Sequence, residues 1–147
     1  MTNYQKLWVT ILSKVRKARN LADVGLTDNF KEECAIRRAA QIFTLDVLLH
    51  EYRKSLDGTL VSLNGKNALL HKLMNKYHWT PEFINSMNLE HTFLALADEL
   101  HLSNLSPEAQ ELLLRIDIPN PRVDFGDYLS TEWDPNIAEL LLRTQPQ

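Results

Sequence analysis

Asp46 and His50 stand four residues apart, one turn of a helix, and a carboxylate that orients an imidazole is the arrangement of acid–base sites. The same spacing also makes an ordinary side-chain contact on a helix surface. The pair therefore supports only a weak hydrolase or nuclease reading, which needs a cleft beside it. His71 and His78 share a helix face, but seven residues separate them by about 10.5 Å at 1.5 Å per residue. That is too far for one zinc ion ligated at about 2 Å. His91 lies opposite the apolar stripe of its helix. Cys34 has Glu33 beside it, which opposes formation of a reactive thiolate. Asn64-Gly65-Lys66 matches the tail of a phosphate loop, yet the upstream glycine is missing and Asn67 stands where Ser or Thr belongs. Gly-x-Ser-x-Gly, paired cysteines and His-Glu-x-x-His are absent from the chain. No catalytic residue, metal or cofactor is expected.

Binding offers more. Lys6, Lys14, Arg16 and Lys17, with Arg19, concentrate positive charge in residues 1–19, where there is no acid, and such a helix could neutralise phosphates. This makes a nucleic-acid-associated regulator the alternative reading. A helix-turn-helix built on the short helix after Trp79 is a poor fit, because that helix carries Glu82 and no basic residue. The leading reading rests on Phe125, Tyr128 and Trp133, together with Val123, in the Pro- and acid-rich stretch 116–134. Aromatics rimmed by acids are common interface material, although they can equally pack this stretch onto the helices. The expected function is a small cytoplasmic, non-enzymatic protein–protein interaction module: an adaptor, an inhibitor or an assembly helper. The expected partner is another protein, and a homodimer is left open.

The elements that hold these residues are legible from periodicity and start signals. Tyr4, Leu7, Trp8, Ile11, Leu12, Val15 and Ala18 recur at spacings of three and four, predicting an amphipathic helix over 3–21 with its lysines outward. Asp23 to Thr27, with Gly25, should end it. A second helix should start near Asn29, with Asn29 and Glu32 as its capping pair, and stop at Asp57-Gly58. Its apolar face changes side near Thr44, from Ala35, Ile36, Ala39, Ile42 and Phe43 to Leu45, Leu48, Leu49, Tyr52 and Leu56. Apolar character all round implies partners all round, so residues 29–56 should be the central helix. Thr59 to Leu63 is β-prone and allows at most a vestigial strand.

Three further starts share one signal: Trp79-Thr80-Pro81, Leu105-Ser106-Pro107 and Trp133-Asp134-Pro135. A side-chain oxygen caps the first turn, and proline occupies a position whose N–H had no partner. These starts predict helices at 81–87, 107–115 and 135–143, with others over 66–77 and from Leu89 to Leu100, and a staple between Trp79 and Ile84. The last two openings lead into an identical Glu-Leu-Leu-Leu-Arg, 28 residues apart, which is either a repeat or convergence of amphipathic helices. The Tyr77 to Leu100 stretch resembles, in a general way, small helical helper proteins of phages and plasmids, without a family-specific motif.

These elements imply an all-α fold, one compact helical domain over residues 1–147 with six or seven helices around the central one. Its 147 residues, 44% hydrophobic and 24% charged, suit one self-sufficient domain. No run approaches the roughly 18 apolar residues that span a bilayer, and the N-terminus lacks a secretory pattern. A single cysteine cannot form an internal disulfide, so a reducing cytoplasm is expected. Charge is divided unevenly: residues 1–88 carry 13 Lys/Arg against 8 Asp/Glu, net +5, and residues 89–147 carry 3 against 11, net −8. The halves should attract.

Overall fold

Local capping chemistry sets where the chain turns. The computed structural model describes residues 1–21, 29–56 and 58–143, the last of these without its side chain. Thr2 and Gln5 form a capping box that opens α1 (Asn3–Ala18). The helix ends three residues short of expectation because Asn20 adopts φ 58°. Asn20 N–H then bonds Lys17 O at 3.1 Å and Leu21 N–H bonds Arg16 O at 2.9 Å, the paired closure of a left-handed cap. The segment Asp23 to Thr27, expected to end this helix, lies outside the described residues.

α2 (Asn29–Ser55) is the central helix. Residues around its whole circumference are buried, from Cys34 and Ala35 through Phe43 to Leu49 and Arg53, and it packs against α1, α3 and α7. Tyr4 and Trp8 of α1 meet Phe43 edge-on, with centroids 6.4 and 6.1 Å away. Glu32 is bound by Arg16, which ties α1 to α2; the residue before Asn29, at the cap of α2, lies outside the described residues.

α3 (Asn67–Tyr77), α4 (Pro81–Asn85), α5 (Leu89–Ala95), α6 (Pro107–Arg115) and α7 (Pro135–Arg143) follow, with 3₁₀ turns at 102–104 and 130–132. Thr80, Asn88 and Ser106 each accept the expected N–H, from Phe83, His91 and Ala109. Asp134 Oδ1 likewise accepts from Asn136 N at 3.0 Å. Trp79 stacks on Tyr77 with centroids 4.4 Å apart and meets Phe83 edge-on at 5.1 Å, so its ring contacts bind α3 to α4.

One expectation is corrected, the helix from Leu89 to Leu100, and one is met, at most a vestigial strand at 59–63. α5 stops at Ala95, where Ala97 N–H turns to Leu94 O and Glu99 N–H to Leu96 O; Tyr77 Oη donates to Ala95 O at 2.5 Å. Among the described residues there is no strand at 59–63. Arg53 donates to Leu63 O at 2.9 Å and Gly65 O at 2.7 Å, so this backbone finds its partner in a side chain. The shared Glu-Leu-Leu-Leu-Arg is placed differently in the two helices. α6 buries Ala109 and Leu113, whereas α7 buries Ala138 and Leu142, so burial repeats at 29 residues where identity repeats at 28. The same letters face different ways. The result is an all-α domain with seven α-helices among the described residues.

Candidate functional site

Arg38 is fully buried on the face of α2 that carries Ala35, Ala39 and Ile42. Such a charge needs partners on every donor. Its Nη1 donates to Glu132 Oε1 at 2.8 Å and, with Nη2, to Asp127 O at 3.1 Å, while Nε reaches Gln41 Oε1 at 3.0 Å. Glu132, also buried, accepts from Arg19 Nε and Nη2 at 3.2 and 3.1 Å and from Leu129 N at 2.7 Å. Arg19 Nη1 further holds Asp127 Oδ1 at 2.7 Å. The Arg19 guanidinium lies 4.0 Å from the Phe125 ring centroid, and that of Arg38 lies 3.9 Å from Tyr128, within cation–π range.

This network determines what becomes of the aromatic stretch. Phe125, Tyr128 and Trp133 are all partly buried against the core. The Phe125 ring covers Arg19. Trp133 Nε1 donates to Asp46 Oδ1 at 2.8 Å. Both are engaged within the molecule. Tyr128, with Phe93 5.8 Å away, also lines an open groove of about 400 Å³.

That groove is the candidate site. One wall is α2, through Arg37, Ala40, Gln41 and Thr44; the other is α5 and the turn that follows it, through Glu90, Phe93, Leu94 and Ala97. Leu100, Leu102, Leu113, Ile118 and Tyr128 complete it. It exists because α5 is not among the helices that pack closely on α2. Leu94 is 66% exposed and Leu102 38% exposed at its edge. Arg37 Nη1 donates to Pro119 O at 3.1 Å, while its Nε is buried without a hydrogen-bond partner. Sequence reasoning missed Arg37, Leu94 and Leu102. Leu94 was already visible as the one leucine off the stripe Leu89, Phe93, Leu96, Ala97 and Leu100.

Asp46 and His50 are both buried and neither lines this groove. Asp46 Oδ1 serves Trp133, and Oδ2 has no hydrogen-bond partner. Burial pushes the Asp46 carboxyl up to about 7, against the opposing pull of Trp133 N–H and Arg53. His71 is engaged by Tyr52, whose hydroxyl lies 2.7 Å from Nδ1. Gly65 N–H, in the loop likened to a phosphate-binding tail, is already held by the carboxylate of Glu139.

The basic helix is partly committed as well. Arg16 pairs with Glu32 and Arg19 with Asp127 and Glu132. Lys6 and Lys17 are exposed and Lys14 is half-buried. Among the described residues, no group of three or more His, Cys, Asp or Glu is placed to hold a metal ion, and no helix is long and apolar enough to cross a membrane. Comparison with known protein families, with curated proteins and with solved structures finds no match to this chain.

Proposed function

We propose that this chain is a non-enzymatic, cytoplasmic protein-binding module, an adaptor, inhibitor or assembly helper, whose docking surface is the groove between α2 and α5. The cytoplasmic part rests on the single cysteine. The observation that carries the binding reading is a concavity of mixed polar and apolar lining edged by two exposed leucines, Leu94 and Leu102. Exposed apolar edges around a concavity mark interaction sites. Of the aromatics expected to bind a partner, Tyr128 retains that role, since Phe125 and Trp133 serve the interior.

The test is capture from the native host with three versions of the chain. The wild type and the Lys6→Glu, Lys14→Glu, Lys17→Glu variant should retain the same specific partner, while Leu94→Asp should lose it with an unchanged thermal midpoint. Capture indifferent to Leu94→Asp overturns the groove. Micromolar binding of DNA or RNA at physiological salt, lost on reversing the three lysines, overturns the module in favour of a nucleic-acid regulator.

A further inference from the structure

Residues 123–143 form an arm that docks far from where it is joined. Covalently the arm continues from α6, yet among the described helices α7 packs closely only on α1 and α2, and the 3₁₀ turn at 130–132 also lies on α1. The clasps of the arm reach Arg19, Arg38, Asp46 and Gly65, between 74 and 113 residues away in the chain. None of these contacts requires arm and body to belong to one copy. We infer that a second copy of this chain supplies the arm when copies fold at high concentration: two chains exchange residues 123–143 and close into a twofold dimer, in which each groove receives the partner's Tyr128.

Exchange reproduces every clasp, so the hinge decides between the closed chain and the dimer. Residues 116–122 contain no helix or strand, and Pro119 and Pro121 keep Ile118 and Asn120 out of helical geometry. The chain reverses at a single turn, where Asn120 O accepts from Val123 N at 2.8 Å and Asn120 Oδ1 from Arg122 N at 2.9 Å. Asn120, Pro121 and Arg122 are all exposed. Straightening this turn gives up those two bonds and uncovers no core, and seven extended residues then reach about 23 Å.

Charge matches the arm to its surface. Residues 123–143 carry five acids against one base, net −4, and the surface beneath them presents Arg19 and Arg38. An opened chain therefore attracts the arm of another. Neither chain rests in the open form, because Arg38 without Glu132 is an uncompensated charge in the interior. Within one chain a short linker holds the arm at a concentration in the millimolar range. Dilute copies accordingly close on themselves, and copies folding at comparable concentration exchange. The dimer, once made, reverts slowly, since both buried clasps must open together.

The experiment unfolds the full chain in urea and refolds it at about 1 mM and at about 5 μM, on either side of the effective concentration within one chain. Size-exclusion chromatography with light scattering should find a dimer in the first sample and a monomer in the second, with the same circular dichroism. Diluted in the cold, the dimer should persist, and brief warming near its melting midpoint should return it to monomer. In a dimer refolded from ¹⁵N-labelled and ¹³C-labelled copies, the nuclear Overhauser contact between the Trp133 indole N–H and the Asp46 methylene should appear between copies. A chain that stays monomeric at the higher concentration overturns the exchange, and so does a dimer whose Trp133–Asp46 contact lies only within each copy.

A second chain, lacking Asn120, Pro121 and Arg122, has too short a hinge to turn the arm back on itself. It should be dimeric even at about 5 μM, because a linker that cannot span its sites leaves almost no effective concentration within one chain. A monomer that melts cooperatively would show that the arm docks without the turn, and a monomer that does not would show that a second copy fails to supply the arm. Either result overturns the exchange.

Discussion

Asp46 is a buried carboxyl that loses more by ionising than it gains from its neighbours. Its Oδ1 accepts from Trp133, its Oδ2 has no hydrogen-bond partner, and burial raises its pKa from 3.8 to about 7. A raised carboxyl pKa means that the folded state holds the proton more tightly than the unfolded chain, so this group's contribution is fully present below pH 3.8 and is lost as pH rises toward 7. The shift corresponds to up to about 4 kcal/mol between protonation states. Asp46→Asn keeps an oxygen for Trp133 N–H and removes the titration. The stability difference between variant and wild type, read from urea midpoints, should move in the variant's favour between pH 4 and pH 8. A pH-independent difference would show that Asp46 is ionised at neutral pH. At this scale the sequence picked out the residue but not its partner Trp133. His50 is four positions away and visible in any local reading, whereas Trp133 is 87 positions away and reaches Asp46 only through the fold.

Element starts were legible because capping is local: a side chain and the N–H it serves lie within three residues of each other. Thr80 Oγ1 accepts from Phe83 N at 3.2 Å, and α4 has only five residues over which to offset the loss of that bond. Thr80→Ala should lower stability by about 1 kcal/mol, while Thr80→Ser, which keeps the oxygen, should recover most of it. Equal denaturation midpoints for all three chains would mean that α4 is held by Trp79 and Phe83 alone. Helix ends were harder to read because no glycine marks them: α1 closes at a left-handed Asn20, and α5 where Ala97 N–H turns to Leu94 O. The Tyr77 hydroxyl also donates to Ala95 O at the end of α5, and no window around Ala95 contains Tyr77. The groove falls in this blind spot: it requires a short α5 standing off α2, and the periodicity of Leu89 to Leu100 described a longer helix.

Across the whole molecule, the uneven charge of the two halves becomes a set of clasps. Arg19 and Arg38 reach Glu132, Asp127 and Asp124, and Lys72 and Lys76 reach Glu99 and Asp98. The attraction was legible from counting charges, but Arg38, a cation inside an apolar stripe, was missed. Which acid would answer it was not legible, because the 116–134 segment has almost no regular structure to position by pattern. That segment and α7 supply Glu132 for the buried Arg38, Trp133 for Asp46, and Ala138 and Leu142 for the core. Removing one partner of a buried ion pair costs about 3–5 kcal/mol, and domains of this size hold only about 5–15 kcal/mol in total. A chain truncated after Arg115 should therefore keep much of its far-ultraviolet helical signal while losing its near-ultraviolet tryptophan and tyrosine signal and its cooperative thermal transition. Adding a synthetic peptide of residues 116–147 should restore both, more strongly at low salt than at high salt because the clasps at its exposed edge are screened. A truncated chain that melts cooperatively within a few degrees of the full one would show that α1 to α6 are self-sufficient and that the Arg38–Glu132 clasp is dispensable.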